Sequence, residues 1–577
     1  MKNWLLVITL CVLSQYATAQ IAVIHDQSNG IEIPAVTTYS IHKVLQTEDA
    51  VTKFLSQEHL VLSLPEYQTR LISSTKSLTG KHYSYAVSKD GFPIYNAQIR
   101  VHTDLHGNVL FVQDNIPAIH TDFTSTHSKS KQVIVGINGR WELAVFEQLD
   151  DTFNSEQIVV DDVVHGQITQ KLFYEAPDTQ VKAQVFLVNP LNTAQKPYGS
   201  PYIDSSDLDV PQLNAERKWV DMTVEHKNDT FWLKSERYYF GNVSNPVTPQ
   251  TFSLTDTFSF TRSQYQFEDV NAFYHITHMT DHVEQLGFSN ALPDTLVIDA
   301  HAYNGSDFSS FNYGVSPVEL EFGEGGVDDA EDGEIVVHEF AHALAFVAGG
   351  DSYANTRDRS AMEEGNADYF SASYSKSYTD FAWEKMFNWD GHNPFFEGVT
   401  IGAQLQYPQD MTGNSNADRE MWSTPLMCIY DKIGRASCDS LVLEHLFYQY
   451  KTATIPEMAN ILLTVDSLLF DKRYHRDIRS CFSNHNILLS EGKKLEFSQL
   501  FTAFNTEGFS LGIDDAAISS QSGQQFGYSI SNDLGQEIAS ELNVSQVNIA
   551  TQEFKSGIYF VQLKLDGYTS FLKLIKY

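Results

Sequence analysis

The sequence predicts a multidomain α+β protein, and three observations lead there. Over 82–112, β-rich runs with alternating faces are broken by turn residues at Lys89-Asp90-Gly91 and His106-Gly107-Asn108. Near the middle, an apolar, helix-compatible run (Ile335–Leu344) carries His-Glu-x-x-His, and mainly helical sequence follows over 375–510. From 511 onward, short alternating strands separated by Asp/Gly turns predict a small β-sandwich. Hydrophobic residues make up 42% and aromatics 12% of the 577 residues, which suits several folded cores. The formal net charge is −35. A surface of that sign repels phosphate backbones, so nucleic acid is not expected as a partner.

In chain order, Met1–Ala19 has the form of a signal peptide. Lys2 gives the positive start, Trp4–Leu13 the apolar run, and Ala17-Thr18-Ala19 the small-residue cleavage site. No other stretch is long and apolar enough to predict a transmembrane segment. Residues 20–165 read as a separate α+β region, 166–510 as the unit that carries the motif, and 511–577 as a terminal β domain. Cys11 leaves with the signal, and Cys428, Cys438 and Cys481 remain. Three cysteines allow at most one internal disulfide, expected between Cys438 and Cys481.

On a helix, His338 and His342 lie four apart on one face, where two imidazoles can grip one zinc ion. Glu339 follows the first histidine, where its carboxylate can reach a water at the metal's open position as general base. A third ligand is expected from Ser360–Phe370. There Ser360-x-x-Glu363 reads as a capping box that starts a second helix. This leaves Glu364 free as the ligand and puts Asp368 one turn on, to accept the far N–H of a ligand histidine.

His338-Glu339-x-x-His342 followed by Glu364-x-x-x-Asp368 resembles the thermolysin and fungalysin class of zinc metallopeptidases, the gluzincins. The run Phe322–Asp332 resembles the loop that enters the zinc helix in bacterial fungalysin-like enzymes. The resemblance implies a two-lobed, thermolysin-like zincin domain over 166–510, with a β-rich first lobe and a helical second lobe. It implies His338, His342 and Glu364 as zinc ligands, Glu339 as base, and Asp368 as the residue that orients a ligand histidine. It also implies protein or peptide substrates. The meander over 82–112 is similar to the propeptides of these precursors, which makes 20–165 a segment that assists folding and blocks the cleft. The alternative is a permanent β-rich accessory domain. Phe311-Asn312-Tyr313 and Glu319–Phe322 look like a hairpin whose edge strand pairs with an extended substrate.

Asp418–Ser423 resembles the Gly-x-x-Trp helix of fungalysins, with departures. Asn416 stands where members carry an oxyanion-stabilising histidine, and Arg419 replaces the glycine. A donor near the developing oxyanion is still required, and Asn416, Arg419, His392 and Tyr353 are the candidates. The acids Asp328, Asp329, Glu331, Asp332 and Glu334 are dense enough for calcium, although they sit where they would cap the zinc helix. His275, His278 and His282 read as packing or hydrogen-bonded histidines rather than a second metal site. The C-terminal pieces, Gly557–Val561 and Lys573–Lys576 among them, resemble the sorting domain of the type IX secretion system. That implies contact with this machinery and export from a Gram-negative cell. The leading expectation is a secreted zinc metalloendopeptidase made as a precursor. A surface-displayed binding or adhesion protein with a structural or inactive zinc site is the alternative.

Overall fold

The structure is a computed structural model. It describes residues 43–58, 66–117, 178–349, 356–392 and 397–488 as continuous runs and, besides single positions, isolated strands within 20–39, 132–159 and 500–576. The expected signal peptide and Tyr353 lie outside the described residues. The chain divides into two compact units. One comprises 1–169, 451–454 and 489–577, and the other 170–450 and 455–488. No helix among the described residues is long and apolar enough to cross a membrane.

In the first unit, the meander consists of the antiparallel strands Tyr67–Lys76, Gly80–Lys89, Phe92–Asp104 and Val109–Asp114. Alternation along them buries Tyr83, Tyr85, Ile99 and Val101 against Val51, Phe54 and Leu55 of the helix Glu48–Glu58. Toward the C-terminus, Phe526–Asn532, Gly557–Leu565 and Tyr568–Lys576 pair antiparallel in succession. Leu500–Asn505 and Gly508–Ile513 form a further hairpin, joined by Val547–Ile549. The expectation of helix up to 510 is therefore corrected, since the last helix of the second unit ends at Ser483.

The second unit begins with a five-stranded sheet in which Asp178–Phe186 pairs with Arg217–Lys227. A four-stranded sheet follows, in the order Tyr238–Phe240, Leu296–Ala302, Val318–Gly323, Ser310–Asn312. The first three strands are parallel, and Ser310–Asn312 runs antiparallel at the edge. Every residue of Leu296–Ala302 is buried, as a central strand covered on both faces requires. The helix Gln266–Gln285 ends before Gly287, whose φ of +91° suits a glycine stop. On that helix, His275 contacts the Tyr374 hydroxyl and the Phe186 carbonyl, and His282 contacts Asp439 at 2.7 Å.

The helices Glu420–Ile433, Arg435–Leu446, Ile455–Phe470 and His475–Ser483 complete the unit. Its disulfide joins Cys428 to Cys481, with Cα atoms 5.8 Å apart, and not Cys438 to Cys481 as expected. Cys428 and Cys481 sit on helices that pack together, whereas Cys438 is a buried free thiol whose Sγ lies 3.6 Å from the Leu426 carbonyl.

Candidate metal centre

Two helices carry the site. The first, Gly333–Gly349, is capped by Asp332, whose carboxylate accepts the Glu334 N–H at 3.0 Å. Its apolar residues are buried nearly all round, which holds it inside the unit and fixes the face that bears the histidines. The second helix, Arg357–Lys376, starts four residues earlier than the capping-box reading expects. Thr356 is its cap and accepts the Arg359 N–H at 3.2 Å. Glu363 is therefore released from any capping role.

The two helices bring His338, His342 and Glu364 together as one cluster of potential ligands. The two histidine Nε2 atoms face each other at 3.3 Å. Two bonds of about 2.0–2.1 Å meeting at a tetrahedral angle span this separation. Glu364 Oε2 lies 3.6 Å from His338 Nε2, and its Oε1 lies 4.0 Å from His342 Nε2. Each histidine presents its other nitrogen to a carboxylate. His338 Nδ1 is 3.1 Å from Asp368, and His342 Nδ1 is 3.5 Å from Glu363. Glu363 is in turn paired with Arg359 one turn back. Sequence reasoning missed this Arg359–Glu363–His342 relay, although its i, i+4 spacing was a readable signal. The donor set, two imidazoles whose Nδ1 atoms face carboxylates plus one carboxylate, fits zinc.

Arg419 lies against the same carboxylates, 3.6 Å from Glu364 and 3.5 Å from Asp368. Gly365 makes that approach possible, because a Cβ there would come within 2.7 Å of the Arg419 carbonyl and 2.8 Å of the Trp422 side chain. Trp422 then donates to Asn366 at 2.8 Å and ties the helix Glu420–Ile433 to the helix Arg357–Lys376. Asn416 is exposed on the short turn Ser415–Asp418, with its N–H on Asn414. His392 stacks on Tyr198 at 4.2 Å. The edge strand borders the histidine helix: Phe311 and Tyr313 pack on Phe346, and the Phe311 backbone acts on the Glu339 carboxylate. Asn312 donates to Glu319 at 3.1 Å.

Opposite charges face each other here. Burial pulls His338 down, but Asp368 and Glu364 outweigh it and push it up to about 10. Burial likewise opposes His342, and Glu363 and Glu364 leave it raised. Burial would raise Glu364, yet His338, His342 and Arg419 hold it down to about 2. Glu339 is raised by burial, partly offset by the two histidines. A base in this position is poised to hold a proton.

The acidic run ahead of the helix has more varied roles than capping. Asp332 is the cap. Glu331 is gripped by the Arg262 Nε at 2.7 and 2.8 Å. Glu334 accepts the Phe387 N–H at 2.5 Å and Asn192 at 3.4 Å. Asp329 accepts from Ser309 and Gly323. The capping expectation is corrected for these residues because partners distant in sequence take their carboxylates.

Residues 513–577 match the model of the secretion system C-terminal sorting domain. The chain is therefore exported to the extracellular space or the cell surface of a Bacteroidetes-type Gram-negative bacterium. No curated protein matches the chain. Among solved structures, the precursor of protealysin, a metalloproteinase from Serratia proteamaculans, is similar at 11% identity with a TM-score of 0.35. The match covers 43% of this chain and 86% of that one.

Proposed function

We propose that the chain is a secreted zinc metalloendopeptidase, made as a precursor in which 20–165 is the pro-segment and 166–510 the catalytic part. The observation that carries this reading is the pair of facing Nε2 atoms at 3.3 Å, each ring with its Nδ1 turned toward its own carboxylate, with Glu364 beside them. His338, His342 and Glu364 would hold the metal. When bound, zinc supplies Lewis-acid polarisation of the scissile carbonyl and the attacking water. Glu339 takes the proton of the attacking water and passes it to the leaving amine, a role that its raised proton affinity suits. The substrate backbone extends along the edge strand Ser310–Asn312, whose outer peptide groups have no neighbouring strand among the described residues. Arg419 is the favoured oxyanion donor, since its guanidinium already lies beside Glu364, while Asn416 is exposed.

The test uses the chain freed of 20–165 and quenched peptides blocked at both ends. Cleavage that o-phenanthroline abolishes and added zinc restores is expected. If zinc binds but neither blocked peptides nor casein are cut, the reading fails in favour of a displayed binding protein with a structural zinc.

A further inference from the structure

The edge strand Ser310–Asn312 is three residues long, and a ladder that short holds a strand weakly. Ser310 stands opposite Glu321, Phe311 opposite Leu320 and Asn312 opposite Glu319. Alternation splits the strand between two faces. Phe311 packs on Phe346 of the histidine helix, and its backbone acts on the Glu339 carboxylate. Ser310 and Asn312 belong to the opposite face, where Asn312 donates to Glu319 at 3.1 Å. That bond fastens one end of the strand.

The fastening at the Ser310 end comes from outside the ladder. Where the buried strand Leu296–Ala302 ends, Tyr303, Asn304 and Gly305 follow with φ of +61°, +55° and +77°. A left-handed backbone is rare for a residue as bulky as tyrosine and persists only where its surroundings hold it. Here the Tyr303 N–H donates to the Ser244 hydroxyl at 2.9 Å, and the Asn304 N–H donates to the Asn245 carbonyl at 2.7 Å. The Tyr303 ring meets Phe308 edge to face at 5.0 Å. This turn brings the Tyr303 hydroxyl to 2.5 Å from the Ser310 hydroxyl. The same phenol bonds Glu321, which is only 6% exposed and stands opposite Ser310. A carboxylate only accepts, so the phenol donates to Glu321 and is left to accept from Ser310. Burial pushes the Tyr303 phenol above its ordinary range, the Ser310 bond opposes this, and the charges of Glu321 and Glu339 add to the rise. The phenol therefore keeps the proton that it donates.

We propose that Tyr303 positions the edge strand for peptide hydrolysis by clamping the cross-strand pair Ser310–Glu321 from the face opposite the histidine helix. This rests on the peptidase reading, in which the outer side of the strand pairs with the substrate while Phe311 borders Glu339. With the clamp closed, the substrate backbone and Glu339 are held in one register by the same three residues. Tyr303 itself takes no part in the chemistry. Its loss should therefore hurt a substrate according to how much of the strand that substrate uses.

The test compares wild type, Tyr303→Phe and Ser310→Ala in the secreted, zinc-loaded form. The probes are doubly blocked peptides of about eight and about three residues, since only the longer one spans the strand. Tyr303→Phe should keep its zinc and lose about 10–100-fold in kcat/KM on the long peptide, but less than about threefold on the short one. An equal loss on both lengths, or no loss on the long one, overturns the proposal. Hydrogen exchange over Ser310–Asn312, read by mass spectrometry on the full chain, needs no activity. It should be about tenfold faster in Tyr303→Phe, with the helix Gln266–Gln285 unchanged. Unchanged exchange at the strand overturns the clamp. Faster exchange in a chain whose wild type cuts nothing supports the clamp and overturns the peptidase reading alone. Should Tyr303→Phe not fold, Ser310→Ala, which leaves Tyr303 and Glu321 in place, should show both effects, and their absence overturns the proposal.

Discussion

The metal centre and the acidic turn lie on either side of the start of one helix and handle buried charge in opposite ways. At the centre, carboxylates face imidazoles, so Glu364 falls to about 2 and His338 rises to about 10. In the turn, burial outweighs the hydrogen bonds these carboxylates accept, and Asp332, Glu331 and Glu334 rise to about 6, 7 and 8. The first arrangement holds protons on nitrogens that a metal can replace. The second favours protons on buried acids, with Arg262 offsetting this at Glu331. Zinc uptake at the centre would therefore be coupled to proton loss.

The sharpest way to break this comparison is to remove a nitrogen. His338→Ala and His342→Ala should each drop zinc from one per chain toward none and lower peptide hydrolysis at least about 10³-fold. Metal analysis and a quenched-peptide assay check both effects. Next in size are the carboxylates behind the rings. Asp368→Asn and Glu363→Gln should each weaken zinc about 10–100-fold in competition with a chromophoric chelator. Unchanged affinity for Glu363→Gln would remove Glu363 from the relay.

A smaller effect concerns protons. At pH 7 the metal-free His338 is protonated, so zinc uptake should release about one proton or more. Calorimetry in buffers of different ionisation enthalpy reads that number, and a value of zero contradicts the pairing. The smallest effect is on stability between pH 6.5 and 8. Glu331 and Glu334 have folded values above their unfolded ones, and so do His301 and His338 at about 10. In this window the folded chain binds more protons than the unfolded chain, so stability falls as pH rises. The histidine contributions are complete below about 6.5 and fade toward about 10. Tm of the metal-free chain should drop by about 2–4 °C across the window, and zinc should flatten the slope.

The parts of this arrangement legible in the sequence are those with helical periodicity. His338 and His342 are one turn apart, as are Glu364 and Asp368, and one turn brings side chains onto one face whatever the rest of the fold does. The edge hairpin was legible from its alternation. What escaped depends on segments far apart in the chain. Arg262 reaches Glu331, and Asn192 reaches Glu334, only through the packing of distant segments. Cys428 rather than Cys438 faces Cys481 because of how helices pack, and odd cysteine counting does not report packing. Ser360-x-x-Glu363 imitated a cap, but Thr356 begins the helix one turn earlier. Asn416, standing where the resemblance implies a histidine, was visible at once, while the placement of Arg419 against Glu364 was not.

The measurement that tests the central claim most directly pairs zinc content with casein hydrolysis for the processed wild type and for Glu339→Gln. The account predicts about one zinc per chain in both and hydrolysis in the wild type alone, with at least about a 10²-fold loss in the variant. Equal hydrolysis by the two proteins, or a wild type that holds zinc and cuts nothing, would contradict it.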